Sequence, residues 1–191
     1  AATDRGLGGR GADTDGANIL DIRRRRICLR MGRKPADEWQ MYILIGGDSA
    51  IGEATGRHLR GQSHDVAATT RRSDRVGPSR PFLDLSLPLN AWAPPEGTMA
   101  CVCAAIARIA ACEADPVASE YVNVDQTLVV IDRLLATGKS VLFLSSDKVF
   151  DGTRANMPPE APTCPLTAYG RQKVRVEEAL HERMESGLPC A

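Results

Sequence analysis

The chain has 191 residues, 43% of them hydrophobic and 25% charged, with 24 basic residues against 24 acidic ones. That is enough for one well-buried domain, and the absence of formal net charge argues against bulk attraction to nucleic acid or an anionic membrane. No apolar run reaches the roughly 20 residues needed to cross a bilayer and no amino-terminal stretch has the apolar core of a signal peptide, so a cytoplasmic protein is expected.

Residues 1–40 are rich in Gly, Arg and Asp, carry Arg23-Arg24-Arg25-Arg26, and lack a sustained apolar period. They read as a disordered or non-native extension rather than a basic arm for nucleic acid. A short helix over Ile19 to Met31 is the one element they suggest. Met41 stands where a natural start would fall, so residues 41–191 form the expected domain. The six cysteines are Cys28, Cys101, Cys103, Cys112, Cys164 and Cys190. They are scattered without a His–Cys cluster, which points to reduced thiols and to no metal site. Cys101 and Cys103 fall in an apparent strand, where side chains two apart share a face.

Tyr42 to Ile45 is the first buried strand, and it breaks into Gly46-Gly47-Asp48-Ser49-Ala50-Ile51-Gly52 before a helix to about Arg60. Gly46 lets the chain turn sharply and Gly52 lets the helix approach the sheet. The N–H groups around Ser49, Ala50 and Ile51 then face a pyrophosphate. His58 and His64 read as surface residues. Asp65 to Thr70 is the second strand. No acid ends it; Arg71 and Arg72 follow instead, which suits a 2′-phosphate and favours NADP(H) over NAD(H). A merely basic loop is the alternative, since Arg75 and Arg80 continue the charge.

Phe82 to Leu85 is strand-like, and the proline-rich stretch from Pro88 to Gly97 makes a shortened crossover. Met99 to Ala105 is a strand ending in small residues, which let a cofactor pass over its tip. Asp115-Pro116 supplies a cap and a first-turn proline for a helix over Val117 to Ala136, closed by Gly138. Val141 to Leu144 reads as a strand buried on both faces, with Ser145, Ser146 and Asp147 at its carboxyl end. A proline-heavy loop over Asn156 to Pro165 precedes a helix to about Met184. On it Tyr169 and Lys173 lie four apart and share a face. A strand-end hydroxyl, a tyrosine and a lysine suit carbonyl–alcohol redox chemistry: Tyr169 passes a proton, Lys173 lowers its pKa, and Ser146 donates to the same oxygen.

The wording SSDKVFDG followed by PLTAYGRQK is similar to the extended short-chain dehydrogenase/reductase family. Within it the likeness is to the dTDP-4-dehydrorhamnose reductase branch. The resemblance implies catalytic roles for Ser146, Tyr169 and Lys173, and substrate contacts at Ser146 and Asp147. It also implies cofactor contacts at Tyr169 and Lys173, at Asp84 and Leu85 by the adenine, and at Cys103, Ala104 and Ala105. The resemblance also implies that Asn123 buttresses the catalytic loop, a plain buried polar residue being the alternative. Two positions depart from the pattern: Ser49 replaces the middle glycine of G-x-x-G-x-x-G, which requires a negative φ, and Lys148 replaces an aromatic.

The expected fold is α/β, a doubly wound and mostly parallel Rossmann sheet with right-handed crossovers, truncated before a C-terminal substrate domain. The expected function is an NADP-dependent reductase of a keto group on a nucleotide-activated sugar. The alternatives are a non-catalytic NADP-binding regulatory subunit of the methionine adenosyltransferase type, and a nucleotide-sugar epimerase or dehydratase. A nucleotide sugar is the expected partner, and the sequence leaves a homodimer open.

Overall fold

The structure, a computed structural model, describes residues 41–191, which lie within one compact unit. The readings made for residues 1–40, including the helix over Ile19 to Met31, lie outside the described residues.

The strands are β1 (Met41–Ile45), β2 (Asp65–Ala68), β3 (Met99–Val102) and β4 (Ser140–Phe143). They form one parallel sheet in the order β2-β1-β3-β4. Parallel strands demand crossovers: α1 (Ala50–Gly61) joins β1 to β2, and α2 (Ile109–Ala114), α3 (Pro116–Glu120) and α4 (Thr127–Ala136) lie between β3 and β4, while α5 (Ala168–Glu185) follows β4. The chain moves outward from β1 to β2, then returns to build β3 and β4 on the other side. That reversal opens a crevice beyond the carboxyl ends of β1 and β3, the usual ligand position in such sheets. The architecture is a doubly wound α/β sheet of the Rossmann type, as the apolar runs and glycine turn predict.

Register explains which residues form the core. Ile43 lies beside Ala67 on one side and Ala100 on the other, and Ala100 lies beside Val141. On this face Ile43, Ile45, Val102, Val141 and Phe143 pack with Val130, Ile131 and Leu134 of α4 and Val176 and Leu180 of α5. On the opposite face Leu44, Val66 and Ala68 pack with Leu59 of α1. Leu142 occupies that second face, in register with Cys101, and is 38% exposed. The expectation of a strand buried on both faces therefore fails for β4. The reason is reach: α1 packs against β1 and β2, two strands away from Leu142.

Other differences are local. Phe82 to Leu85 is not a full strand; a single parallel bridge joins Phe82 to Thr70 beyond β2, although Leu83 and Leu85 are buried. The crossover after it is helix-free as expected, held by the Arg133 guanidinium, which donates to the Leu89 and Trp92 carbonyls. Strand β3 ends at Val102, so Cys103, Ala104 and Ala105 lie in the loop beyond it. His64 is not a free surface ring but meets Tyr42 edge-on at 5.1 Å.

The predicted long helix over Val117 to Ala136 is interrupted by a π-helical stretch, Tyr121–Gln126. The Thr127 hydroxyl donates to the Val122 carbonyl five residues back, at 2.9 Å, giving that carbonyl a partner in the widened turn. Such bulges often mark functional positions, and this one presents Asn123 to the loop after β3. Among the described residues no helix is long and apolar enough to cross a membrane.

Candidate active site

The glycine turn is built as its chemistry requires. Gly46 has φ +88°, and a Cβ there would stand 2.7 Å from the Ala104 backbone. A side chain at this position would therefore drive apart the ends of β1 and β3. Gly52 is equally constrained, because its Cβ would meet the Gly46 carbonyl at 2.4 Å. Ser49 has φ −73°, satisfying the condition placed on a serine at the middle position. Its hydroxyl accepts from the Gly52 N–H at 3.0 Å and donates to the Gly46 carbonyl at 2.8 Å. Ser49 thus caps α1, while Ala50 and Ile51 form its first turn, where N–H groups lack intrahelical partners.

A cleft of about 560 Å³ opens beside this turn, lined among others by Gly46, Ser49, Arg71, Asp84, Leu85 and Ala104. Sites for small ligands and cofactors span about 300 to 1,000 Å³, so the opening and its glycine-bounded rim fit a dinucleotide. Ala105 lines the cleft as well, and both Ala105 and Ile106 pack against the buried cluster of Cys112, Ala168 and Tyr169. Arg72 does not join the lining: it turns to Asp74 at 3.1 Å. Sequence reasoning missed Asp48, which lines the cleft, accepts from the Thr70 hydroxyl at 2.5 Å, and pairs with Arg80 at 2.7 Å and Arg75 at 3.5 Å. These arginines therefore have an internal counter-ion, and Arg71 is the predicted cation that faces the opening. An acid inside a glycine turn is the signal that could have revealed this pairing.

Ser146 caps a short 3₁₀ turn, Asp147–Val149, accepting from the Lys148 N–H at 3.2 Å. That turn lies directly against the start of α5, where a Cβ on Gly170 would fall 2.2 Å from the Lys148 carbonyl. The strand-end serine and Tyr169 are thereby held on abutting segments. Lys148, the departure from the family wording, pairs with Asp147 at 2.9 Å. The extra cation is thus paired locally, and together with Ser146 it holds the Asp147 carboxyl below its ordinary range.

Lys173 is 4% exposed. Its ammonium donates to the Leu144 carbonyl at 2.7 Å and stands 4.2 Å from the Phe143 ring centroid and 5.7 Å from that of Tyr169. Burial lowers its pKa to about 8, against a smaller upward pull from Glu177 and Cys103. The Tyr169 hydroxyl is shifted upward, chiefly by burial, then by Cys112 and the Asp147 carboxylate. The expectation that Lys173 lowers the tyrosine is not met: the ammonium faces the ring and a carbonyl, and burial prevails.

The lowered lysine has a measurable consequence. Below about pH 8 both the native and the unfolded chain carry this proton, and the native state bears the whole cost of burying it. Between pH 8 and the ordinary lysine value of 10.5 the unfolded chain holds a proton that the native chain lacks, so native stability rises with pH across that window. The shift corresponds to about 3 kcal/mol. We expect the stability difference between Lys173→Met and the parent to shift toward the parent by most of that amount from pH 7 to pH 10.5. Urea unfolding of both proteins at each pH checks this, and a difference constant with pH would contradict it.

A buried polar network, largely unforeseen, braces the site. Asn123 accepts from the Ile106 N–H at 2.7 Å and donates to the Ile106 carbonyl at 3.1 Å and to Gln172 at 2.8 Å. Gln172 donates in turn to Ser119 at 2.8 Å, and the Glu113 carboxylate accepts from the Ala168 N–H at 2.7 Å. The buttressing role implied for Asn123 is thus directed at the cleft-lining loop after β3 and at α5. We expect Asn123→Ala to cost about 2 to 3 kcal/mol, because it orphans several buried groups at once. Thermal and urea unfolding read that loss.

Comparison with known proteins bears on the family and the fold. The family model described as RmlD substrate binding domain matches residues 41–188. Over 80 residues the chain is 36% identical to methionine adenosyltransferase 2 subunit beta of Pongo abelii, a stretch covering 42% of this chain and 24% of that protein. It is also 36% identical over 80 residues to dTDP-4-dehydrorhamnose reductase of Burkholderia thailandensis, covering 41% and 27%. The solved UDP-glucose 4-epimerase of Thermus thermophilus, in complex with NAD, superposes with a TM-score of 0.61 at 22% identity, over 76% of this chain and 51% of that one. The chain thus matches about a quarter of the length of these curated relatives and about half of that solved structure. Model, sequence motifs and sheet agree, and the chain belongs to the RmlD substrate binding domain family.

Proposed function

We propose that the protein is a nicotinamide-dependent reductase acting on a keto group of a nucleotide-activated sugar, with NADP(H) favoured over NAD(H). The observation that carries this reading is the abutment of the Ser146 turn on the first turn of α5, which keeps Ser146 and Tyr169 on neighbouring segments, Tyr169 lying in the cluster against which the cleft-lining Ala105 and Ile106 pack. Gly46, Ser49, Ala50, Ile51 and Gly52 would receive the pyrophosphate, and Asp84 and Leu85 the adenine end. Cys103, Ala104 and Ala105 would flank the path between. Arg71, facing the cleft, supports the phosphorylated cofactor.

A bound nicotinamide would supply hydride to the substrate carbon. The chain's own part is to manage the oxygen. Ser146 donates a hydrogen bond to it, and Tyr169 surrenders its phenolic proton as negative charge develops there. Lys173, held by the Leu144 carbonyl, orients the tyrosine ring and offers positive charge to the cofactor side. Asp147 would contact the substrate, as the resemblance implies.

A second reading keeps the cofactor and drops the chemistry. Similarity to the methionine adenosyltransferase subunit supports a non-catalytic NADP-binding regulator. Binding titrations with NADPH and NADH, followed by spectrophotometric assay with a 4-keto nucleotide sugar, separate the two. The reductase reading expects tighter NADPH binding and turnover. Tight NADPH binding without turnover favours the regulator, and failure to bind either nucleotide defeats both.

A further inference from the structure

Cys101 and Cys103 have no part in the chemistry above beyond the place of Cys103 beside the cofactor path. Their sulfurs stand 3.6 Å apart, the one sulfur–sulfur contact found among the described residues. Both side chains are half-buried, whereas Cys112 and Cys190 are buried and Cys164 is exposed. We propose that Cys101 and Cys103 form a reversible dithiol–disulfide pair at the tip of β3, and that oxidising it with a peroxide weakens dinucleotide binding in the adjoining cleft. The second half rests on the cofactor site of the proposed function.

The geometry supports both halves. Residues two apart on a strand share a face, and their Cα atoms stand about 6.6 Å apart. That is near the upper limit of about 6.8 Å for a disulfide. Bond formation must bring the sulfurs to about 2.05 Å, which draws Cys103 back toward Cys101. Cys103 lies just past the last residue of β3, where the backbone can yield. Its N–H donates to the Ile45 carbonyl at 2.8 Å, and the next residue, Ala104, is the backbone that Gly46 approaches most closely. Movement of Cys103 is thereby passed to the glycine turn. A disulfide at the limit of its span is also readily reduced again.

The chemistry of the pair balances with a peroxide as the oxidant. The two thiols share one hydrogen bond in which either sulfur can be the donor, and sharing that proton lowers the pKa of one thiol of the pair while raising the other. Whichever thiol ionises first is the nucleophile, and the steps are the same in either order. With Cys101 first, its thiolate attacks one peroxide oxygen, the O–O bond breaks, and water leaves after taking up a proton, giving a sulfenic acid. The Cys103 sulfur then attacks the Cys101 sulfur, the S–O bond breaks, and the departing oxygen carries off the Cys103 proton as a second water. Two thiols lose two electrons in all, and peroxide takes both.

Tryptic digestion isolates the pair, because cleavage after Arg75 and Arg108 yields peptide 76–108, which holds no other cysteine, and Pro81 protects Arg80. After hydrogen peroxide and iodoacetamide, this peptide is expected about 2 Da lighter than its reduced form and unalkylated. The Kd for NADPH is expected to rise about tenfold and to recover with dithiothreitol. Cys101→Ser is expected to bind NADPH as the parent does and to keep its affinity after peroxide. A peptide that still takes two alkyl groups overturns the pair. A 2 Da loss with unchanged Kd, or equal loss of affinity in Cys101→Ser, overturns its link to the cleft. If the reduced parent binds neither NADPH nor NADH, the cofactor site fails together with that link, while the peptide mass still decides the pairing.

Discussion

Tyr169→Phe is expected to bind NADPH like the parent and to reduce a keto substrate about 10²- to 10⁴-fold more slowly, the usual share of a positioned proton donor. The substitution is narrow. The Tyr169 ring packs with Cys112 and Ala168 and lies under the Lys173 ammonium, and phenylalanine keeps both relations. Only the hydroxyl disappears. Its proton is the one passed to the substrate oxygen in the proposed reaction, so the variant loses the acid and keeps the cleft. The loss should appear in kcat, with substrate KM little changed, because the phenol interacts most strongly as charge develops on the oxygen. An unfolding midpoint matching the parent separates this from a folding defect. Full turnover in Tyr169→Phe would remove the tyrosine from the mechanism.

Much of this site is legible in the sequence because its parts are local. The glycine turn announces itself through Gly46 and Gly52, whose missing side chains leave room for a backbone, and Ser49 reads correctly because only the sign of its φ mattered. Tyr169 and Lys173 are set by one helical turn. The parts that escaped are those in which distant residues meet. Asp48 reaches Arg80 across 32 positions, and Asn123 reaches Gln172 across 49. No period or spacing announces such pairs. Leu142 shows a related limit: an apolar run marks a strand, but whether both faces are covered depends on how far a neighbouring helix reaches. The Tyr169 shift was misjudged for a third reason. Spacing placed a cation near the phenol, whereas its direction is decided by how deeply the ring is buried.

Gly170 offers the sharpest test of how the site is held. Glycine inside a helix normally costs about 1 kcal/mol relative to alanine, so propensity alone favours Gly170→Ala. The structure reverses the sign, because the added Cβ would lie 2.2 Å from the Lys148 carbonyl and 3.0 Å from the Pro165 side chain. The carbonyl is backbone, fixed in the 3₁₀ turn that follows Ser146, and cannot swing aside as a flexible side chain would. Overpacking of this kind costs about 1 to 3 kcal/mol and sometimes more. We expect a net loss at or above about 3 kcal/mol, since relief requires the whole turn to withdraw from α5. That withdrawal would also carry Ser146 away from Tyr169, so turnover should fall even where the variant remains folded, through a displaced hydrogen-bond donor rather than a missing one. Gly61→Ala serves as the control: nothing lies within 4 Å of its Cβ position at the end of α1, and it should be neutral or stabilising by up to about 1 kcal/mol. Urea unfolding of the two variants side by side isolates the contact. A Gly170→Ala protein as stable as the Gly61→Ala protein would mean that the serine turn and the tyrosine helix do not abut.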